Sequence, residues 1–114
     1  MRVSSRSIVL SAATVLLVLA GPGRGVAARV PAPATYTVTM DSSRFEPAVL
    51  TVHAGDTVVW VNKDFITHTA TAKGHFDSGK IAEGHSWSYV ARTKGTFPYI
   101  CTLHPDMKGT LRVQ

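Results

Sequence analysis

The chain has 114 residues, enough for one domain, and its twelve Lys and Arg against seven Asp and Glu give a formal charge of +5. Three of the cations, Arg2, Arg6 and Arg24, stand near the N-terminus; from Arg29 onward nine Lys and Arg meet seven Asp and Glu, a net of +2. The remaining charge forms no basic run or aromatic-interleaved stripe, which excludes nucleic acid as a partner. There is one Cys, so an internal disulfide is excluded as well.

In chain order, residues 1–28 read as a secretory signal peptide. Arg2 and Arg6 precede an apolar run from Ile8 to Ala20, and Val26-Ala27-Ala28 offers a small-residue cleavage site. The run is shorter than the ~18 residues of a membrane span, so the expected location is periplasmic or secreted. Membrane attachment is expected only if this segment is not cleaved. Residues 29–34 read as a short flexible lead-in, and 35–114 as the folded domain.

Tyr36-Thr37-Val38-Thr39-Met40 alternates apolar residues with threonine, a half-buried strand, and Asp41-Ser42-Ser43 turns the chain. Phe45-Glu46-Pro47 is extended, because the residue before proline is pushed out of the helical region. Val49–Val52 is a second strand, and His53–Asp56 turns it into Thr57–Asn62, whose nearly continuous apolar run predicts burial. Lys73-Gly74-His75 and Asp77–Lys80 read as turns flanking Phe76. In the strand around Ser86–Val90, Trp87 and Tyr89 share a face. Phe97, Tyr99 and Cys101 fall on one face of the next strand, with Pro98 at a position that needs no ladder hydrogen bond. Thr110–Val113 closes the domain with Leu111 and Val113 inward. Short strands separated by turns, with no amphipathic helix, predict an all-β sandwich.

The chemistry concentrates in Cys101-Thr102-Leu103-His104-Pro105-Asp106-Met107, the pattern C-x2-H-x2-M. Thiolate and thioether are soft donors that select Cu(I), imidazole suits both oxidation states, and two His, one Cys and a weak axial Met make a blue-copper site. His68, just past the apolar strand, is the candidate for the second imidazole. A structural zinc site would need four Cys, His or carboxylate donors, and a thioether serves it poorly. Metal ligation also gives an exported lone cysteine a role that protects it from oxidation. Gly109 is read as letting the chain turn sharply into the last strand. His53, His75 and His85 are spare and expected at the surface, as is Asp106. No Ser-His-Asp or Cys-His-Asn arrangement competes for Cys101.

On these residues the chain resembles the cupredoxins, the type 1 blue copper proteins, from about Tyr36 to Gln114; the two-residue gaps on both sides of His104 are most similar to amicyanin-like members of that plastocyanin-related family. The resemblance implies a Greek-key β-sandwich of two sheets. It further implies one copper ion held by His68, Cys101, His104 and Met107, and one-electron carriage by Cu(II)/Cu(I) cycling rather than an enzymatic reaction. Its implied partners are transient redox proteins docking near the exposed edge of His104, with Leu103 and Pro105 in the patch. A monomeric mature domain and no small-molecule substrate are expected. The alternative function is copper storage or delivery, against which the scarcity of methionine argues, since Met40 is the only one besides Met1 and Met107. The sequence departs from the family at Thr69, where cupredoxins commonly carry an Asn that braces the ligand loop, and at Leu103, where amicyanin-like loops tend to carry Pro.

Overall fold

The computed structural model describes residues 32–114, together with Thr14; the segment expected as a signal peptide otherwise lies outside the described residues. Nine strands follow in order: β1 Thr35–Asp41, β2 Arg44–Glu46, β3 Val49–Val52, β4 Thr57–Asn62, β5 Thr71–Ala72, β6 Phe76–Asp77, β7 Ser86–Val90, β8 Gly95–Cys101 and β9 His104–Val113. They form two mixed sheets, ordered β2-β1-β4-β7 and β3-β9-β8-β5-β6. β1 pairs with β4 and β3 with β9 in parallel, and the other ladders are antiparallel.

The expected sandwich is present, and its two-residue period decides which side chains enter the core. Val38 and Met40 of β1, Val58 and Trp60 of β4, Phe97, Tyr99 and Cys101 of β8, and Leu111 and Val113 of β9 are all buried. The apolar run of β4 is buried on one face only: Val59 and Val61 point to the other side and are half-buried. A strand in a two-sheet sandwich has a single core face, so continuity of apolar residues overstates its burial. Trp87 and Tyr89 share a face as expected and pack with Phe76 against Trp60, at ring separations of 4.8–6.1 Å.

Turns carry the chain between the sheets. Ser42 and Ser43, both at positive φ (50° and 54°), make the two-residue turn between β1 and β2; paired left-handed residues match the twist of a hairpin, although glycine or asparagine is the usual occupant. Between β2 and β3 the chain leaves the first sheet for the second at Pro47. Asp56 closes the β3–β4 turn, accepting the amides of Ala34 and His53 at 2.8 Å each. Ala34, at the end of the expected flexible lead-in, is therefore tied to the domain. Pro98 sits opposite Thr110, whose amide is spent on Ala48. The Pro98 nitrogen thus faces away from β9, on the side where β5 no longer pairs, and no ladder bond is lost.

Two expectations about the C-terminal segment need correction. The last strand begins at His104 rather than at Thr110. Gly109 lies inside this strand and has no positive φ; a Cβ there would overlap the ring of its cross-strand partner Tyr99. Its absence of side chain makes room for a buried aromatic and has nothing to do with a turn. Tyr99 packs edge-on against Phe45 and Trp60. Burial pushes its phenol up to about 12.

Gly109→Ala should cost about 1–3 kcal/mol through overpacking, read as a lower denaturant midpoint; an unchanged midpoint would mean that the Tyr99 ring moves aside freely. The amides of Ala34 and then His53 hold the Asp56 carboxyl below its ordinary value of 3.8. A depressed carboxylate contributes stability above its unfolded pKa and loses it as pH falls through the folded one. Asp56→Asn should therefore lower the denaturant midpoint at neutral pH, and the gap between variant and parent should shrink below about pH 4; a gap independent of pH would exclude this role.

Candidate metal centre

β8 ends at Cys101, and Thr102-Leu103 form a two-residue turn that brings His104 opposite it. The register then jumps: Ile100 pairs with Lys108 while the adjacent Cys101 pairs with His104, so Pro105, Asp106 and Met107 bulge from β9. The bulge separates the side chains by depth. Cys101 is fully buried and Met107 is 4% exposed, whereas Thr102 through Asp106, His104 included, are exposed. The C-x2-H-x2-M segment is thus a bulged hairpin that points its two sulfur donors inward and its imidazole to the surface.

His68 comes from the crossing between β4 and β5. The crossing is built on Asn62, a buried residue at the end of β4. Its Nδ2 donates to the carbonyls of Ile66 (2.8 Å) and Ile81 (2.9 Å), and its Oδ1 accepts the Asp64 amide (2.8 Å). His68 is pinned in turn through its own backbone, which exchanges hydrogen bonds with Ile81. The side chain has no exposed surface at all.

Both ring nitrogens of His68 are accounted for. Nε2 lies 2.8 Å from Asp64 Oδ2, and the same oxygen accepts the Ser43 amide at 2.8 Å. The hydrogen bond from His68, then that from Ser43, holds the Asp64 carboxyl below its ordinary value. An ionised carboxylate only accepts, so Nε2 carries the proton, and in the neutral ring the lone pair belongs to Nδ1. Nδ1 lies 3.6 Å from Cys101 Sγ, which also accepts the Thr69 amide at 3.3 Å. The carboxylate fixes the tautomer and aims the free nitrogen at the sulfur, as outer partners of metal-binding histidines do.

The structure brings His68 and Cys101 into contact. The His104 ring stands 5.3 Å from that of His68, centroid to centroid and at 67°, and Met107 is buried three residues further on. Among the described residues no three His, Cys, Asp or Glu side chains close into a ready-made metal cage. The donor set, two sulfurs and two imidazoles grouped at one end of the sandwich, fits copper in chemical type and leaves the His104 side open to solvent. His53, His75 and His85 are exposed, as expected, and so is Asp106.

Thr69 replaces the Asn brace that the resemblance would supply, and the bracing is present nonetheless: its Oγ1 accepts the Thr102 amide at 2.9 Å. Asp64 and Asn62 were not singled out by sequence reasoning. An acidic residue four positions before a candidate ligand histidine, preceded by a strand-terminal Asn, is the signal that would have found them.

Comparison with known proteins agrees with this geometry. Residues 8–113 match the cupredoxin-like domain family. The chain is 30% identical over 87 residues to amicyanin of Paracoccus denitrificans, covering 68% of this chain and 63% of that protein. It is 38% identical over 84 residues to plastocyanin of Scenedesmus fuscus, covering 61% and 86%. Among solved structures, the reduced Cu(I) form of an amicyanin variant superposes with a TM-score of 0.65 at 28% identity, covering 76% of this chain and 88% of that one. A copper-containing nitrite reductase from Thermus scotoductus also superposes at 0.65, with 31% identity, but this chain spans only 24% of it. The chain is a member of the cupredoxin-like family.

Proposed function

We propose that the protein is an exported one-electron carrier that holds a single copper ion through Cys101, the imidazoles of His68 and His104, and the thioether of Met107. The observation that carries this reading is the 3.6 Å approach of His68 Nδ1 to Cys101 Sγ, with Nε2 already committed to Asp64. Bound copper supplies reversible Cu(II)/Cu(I) chemistry. The chain's own contribution is to hold the donors still. The His68 and Cys101 positions are both fully buried and tied through backbone and side-chain hydrogen bonds, so a change of charge on the metal need not be followed by rearrangement of the protein. The thioether of Met107, the weakest donor of the set, would tune the potential of bound copper.

His104 is the natural exit for the electron, being the one exposed member of the set. The two segments that carry the imidazoles also expose large apolar side chains: Phe65 is 89% exposed, Ile66 42% and Leu103 45%. Apolar groups around an exposed imidazole suit the small, short-lived contacts of redox partners. Transient redox proteins are the proposed partners, met by a monomer in the periplasm or outside the cell. The solvent-facing His104 and the presence of one such donor set favour carriage over an enzymatic reaction.

The deciding experiment is the visible spectrum after addition of Cu(II), followed by one equivalent of reductant. An intense blue band that bleaches and returns on reoxidation is expected; a weakly coloured complex would move storage or delivery of copper to the front. Cys101→Ser should abolish the band, because the colour requires the thiolate, and a blue Ser variant would refute the site. Met107→Leu should keep the colour and shift the reduction potential, with cyclic voltammetry as the check; an unmoved potential would exclude Met107 as a ligand.

A further inference from the structure

Thr69 belongs to a line of four side chains whose proton directions are fixed by its far end. Asp77 Oδ1 accepts from Thr71 Oγ1 at 3.0 Å and from the Gly79 amide at 2.9 Å. A carboxylate only accepts, so the single hydroxyl proton of Thr71 is committed. The Thr71 oxygen, 3.0 Å from Thr69 Oγ1, can then act toward Thr69 only as acceptor, and Thr69 must donate. With its own proton spent, Thr69 Oγ1 receives both the Thr102 amide at 2.9 Å and the Thr102 hydroxyl at 3.1 Å. Every proton in the line points from the Cys101–His104 turn toward Asp77.

We propose that Asp77 and Thr71 are positioning residues for that turn: a surface carboxylate, acting through two hydroxyls, fixes the direction of the line and thereby the placement of Cys101 and His104. Thr102 is the residue directly after Cys101, and Thr69 grips both, through its amide to Sγ (3.3 Å) and its hydroxyl to the Thr102 amide. Without an acceptor-only group at the end, the Thr69 hydroxyl can equally donate back to Thr102 Oγ1. The turn then samples two hydrogen-bond arrangements where the intact line allows one. Thr71 is half-buried and Asp77 exposed, so neither is needed to fill the core. The spectroscopic part of this inference rests on the copper reading above; the hydrogen-bond part does not.

The test compares the parent with Thr71→Val, Thr71→Ser and Asp77→Ala, by hydrogen exchange of the Thr102 amide without added metal and by the electron paramagnetic resonance spectrum after Cu(II) addition. Thr71→Val and Asp77→Ala should each speed Thr102 exchange about three- to ten-fold, the loss of roughly one hydrogen bond in a local opening, and should broaden or split the copper hyperfine lines. Thr71→Ser, which keeps the hydroxyl, should restore both. Exchange unchanged in the Val and Ala variants would overturn the proposal, as would a Ser variant that behaves like Val, since packing would then be the cause. Faster exchange with unaltered hyperfine lines would overturn it too, because the turn would loosen without moving its donors. Should Thr71→Val fail to fold, Asp77→Ala at its exposed position decides alone. A parent spectrum without cysteine-bound copper would refute the copper reading, and the exchange measurement would still judge the line of hydroxyls.

Discussion

The site depends on one imidazole that faces two ways. His68 gives Nε2 to Asp64 and aims Nδ1 at Cys101 Sγ, and neither could be done by a ring free to rotate in solvent. The cost of burying an imidazole is offset by satisfying it completely. That requirement explains the surrounding architecture: Asn62 shapes the crossing loop, the Ile81 bridge holds the His68 backbone, and the Ser43 amide holds Asp64 in place. The sandwich then has only to bring the end of β8 to the same place, which it does through the antiparallel contact of Thr71 with Ile100.

Depth divides the donors into two roles. In the proposed copper site the two sulfurs and His68 lie inside and would set the properties of the metal, while His104 lies at the surface and would give access to it. Strict alternation in β9 already sets His104 and Met107 on opposite faces; the three-residue bulge adds the exposure of Pro105, which a regular ladder would turn to the same face as Met107. Phe65 and Ile66 on the segment of His68, and Leu103 beside His104 in the chain, are exposed without drawing on the core.

Much of this was legible in the sequence, for identifiable reasons. Alternation in β1 and β8 fixed which side chains enter the core, because a strand has no other way to sort its faces. The spacing C-x2-H-x2-M singled out the segment that the fold shapes into a bulged hairpin beside His68, since soft sulfur side chains rarely meet a histidine so closely for reasons of packing alone. What was not legible lay in contacts between segments distant in the chain. The role of Gly109 depends on Tyr99 across the ladder, which no local pattern displays; turn chemistry, the nearest local explanation, was the wrong one. Asp64 was not singled out because its partners are a turn 21 residues earlier and a ring four residues later. Thr69 looked like the loss of a brace, yet a hydroxyl with a committed proton accepts the Thr102 amide.

The parallel pairing of β3 with β9 has a consequence for how the site comes into being. Val49 lies beside Thr110, and Val52 beside Val113, so the strand that carries His104 and Met107, although its hairpin with β8 is local, completes its pairing only when it meets a segment 61 residues upstream. Before then, Cys101, His104 and Met107 are a short soft-donor peptide without His68, and the imidazole 33 residues upstream has no fixed direction. Such long-range closure is slow relative to local structure. On the copper reading proposed above, a metal ion meeting the chain early would find only the incomplete set, so the full donor set is a property of the closed sandwich, and occupancy would report on completed folding as much as on the availability of the ion.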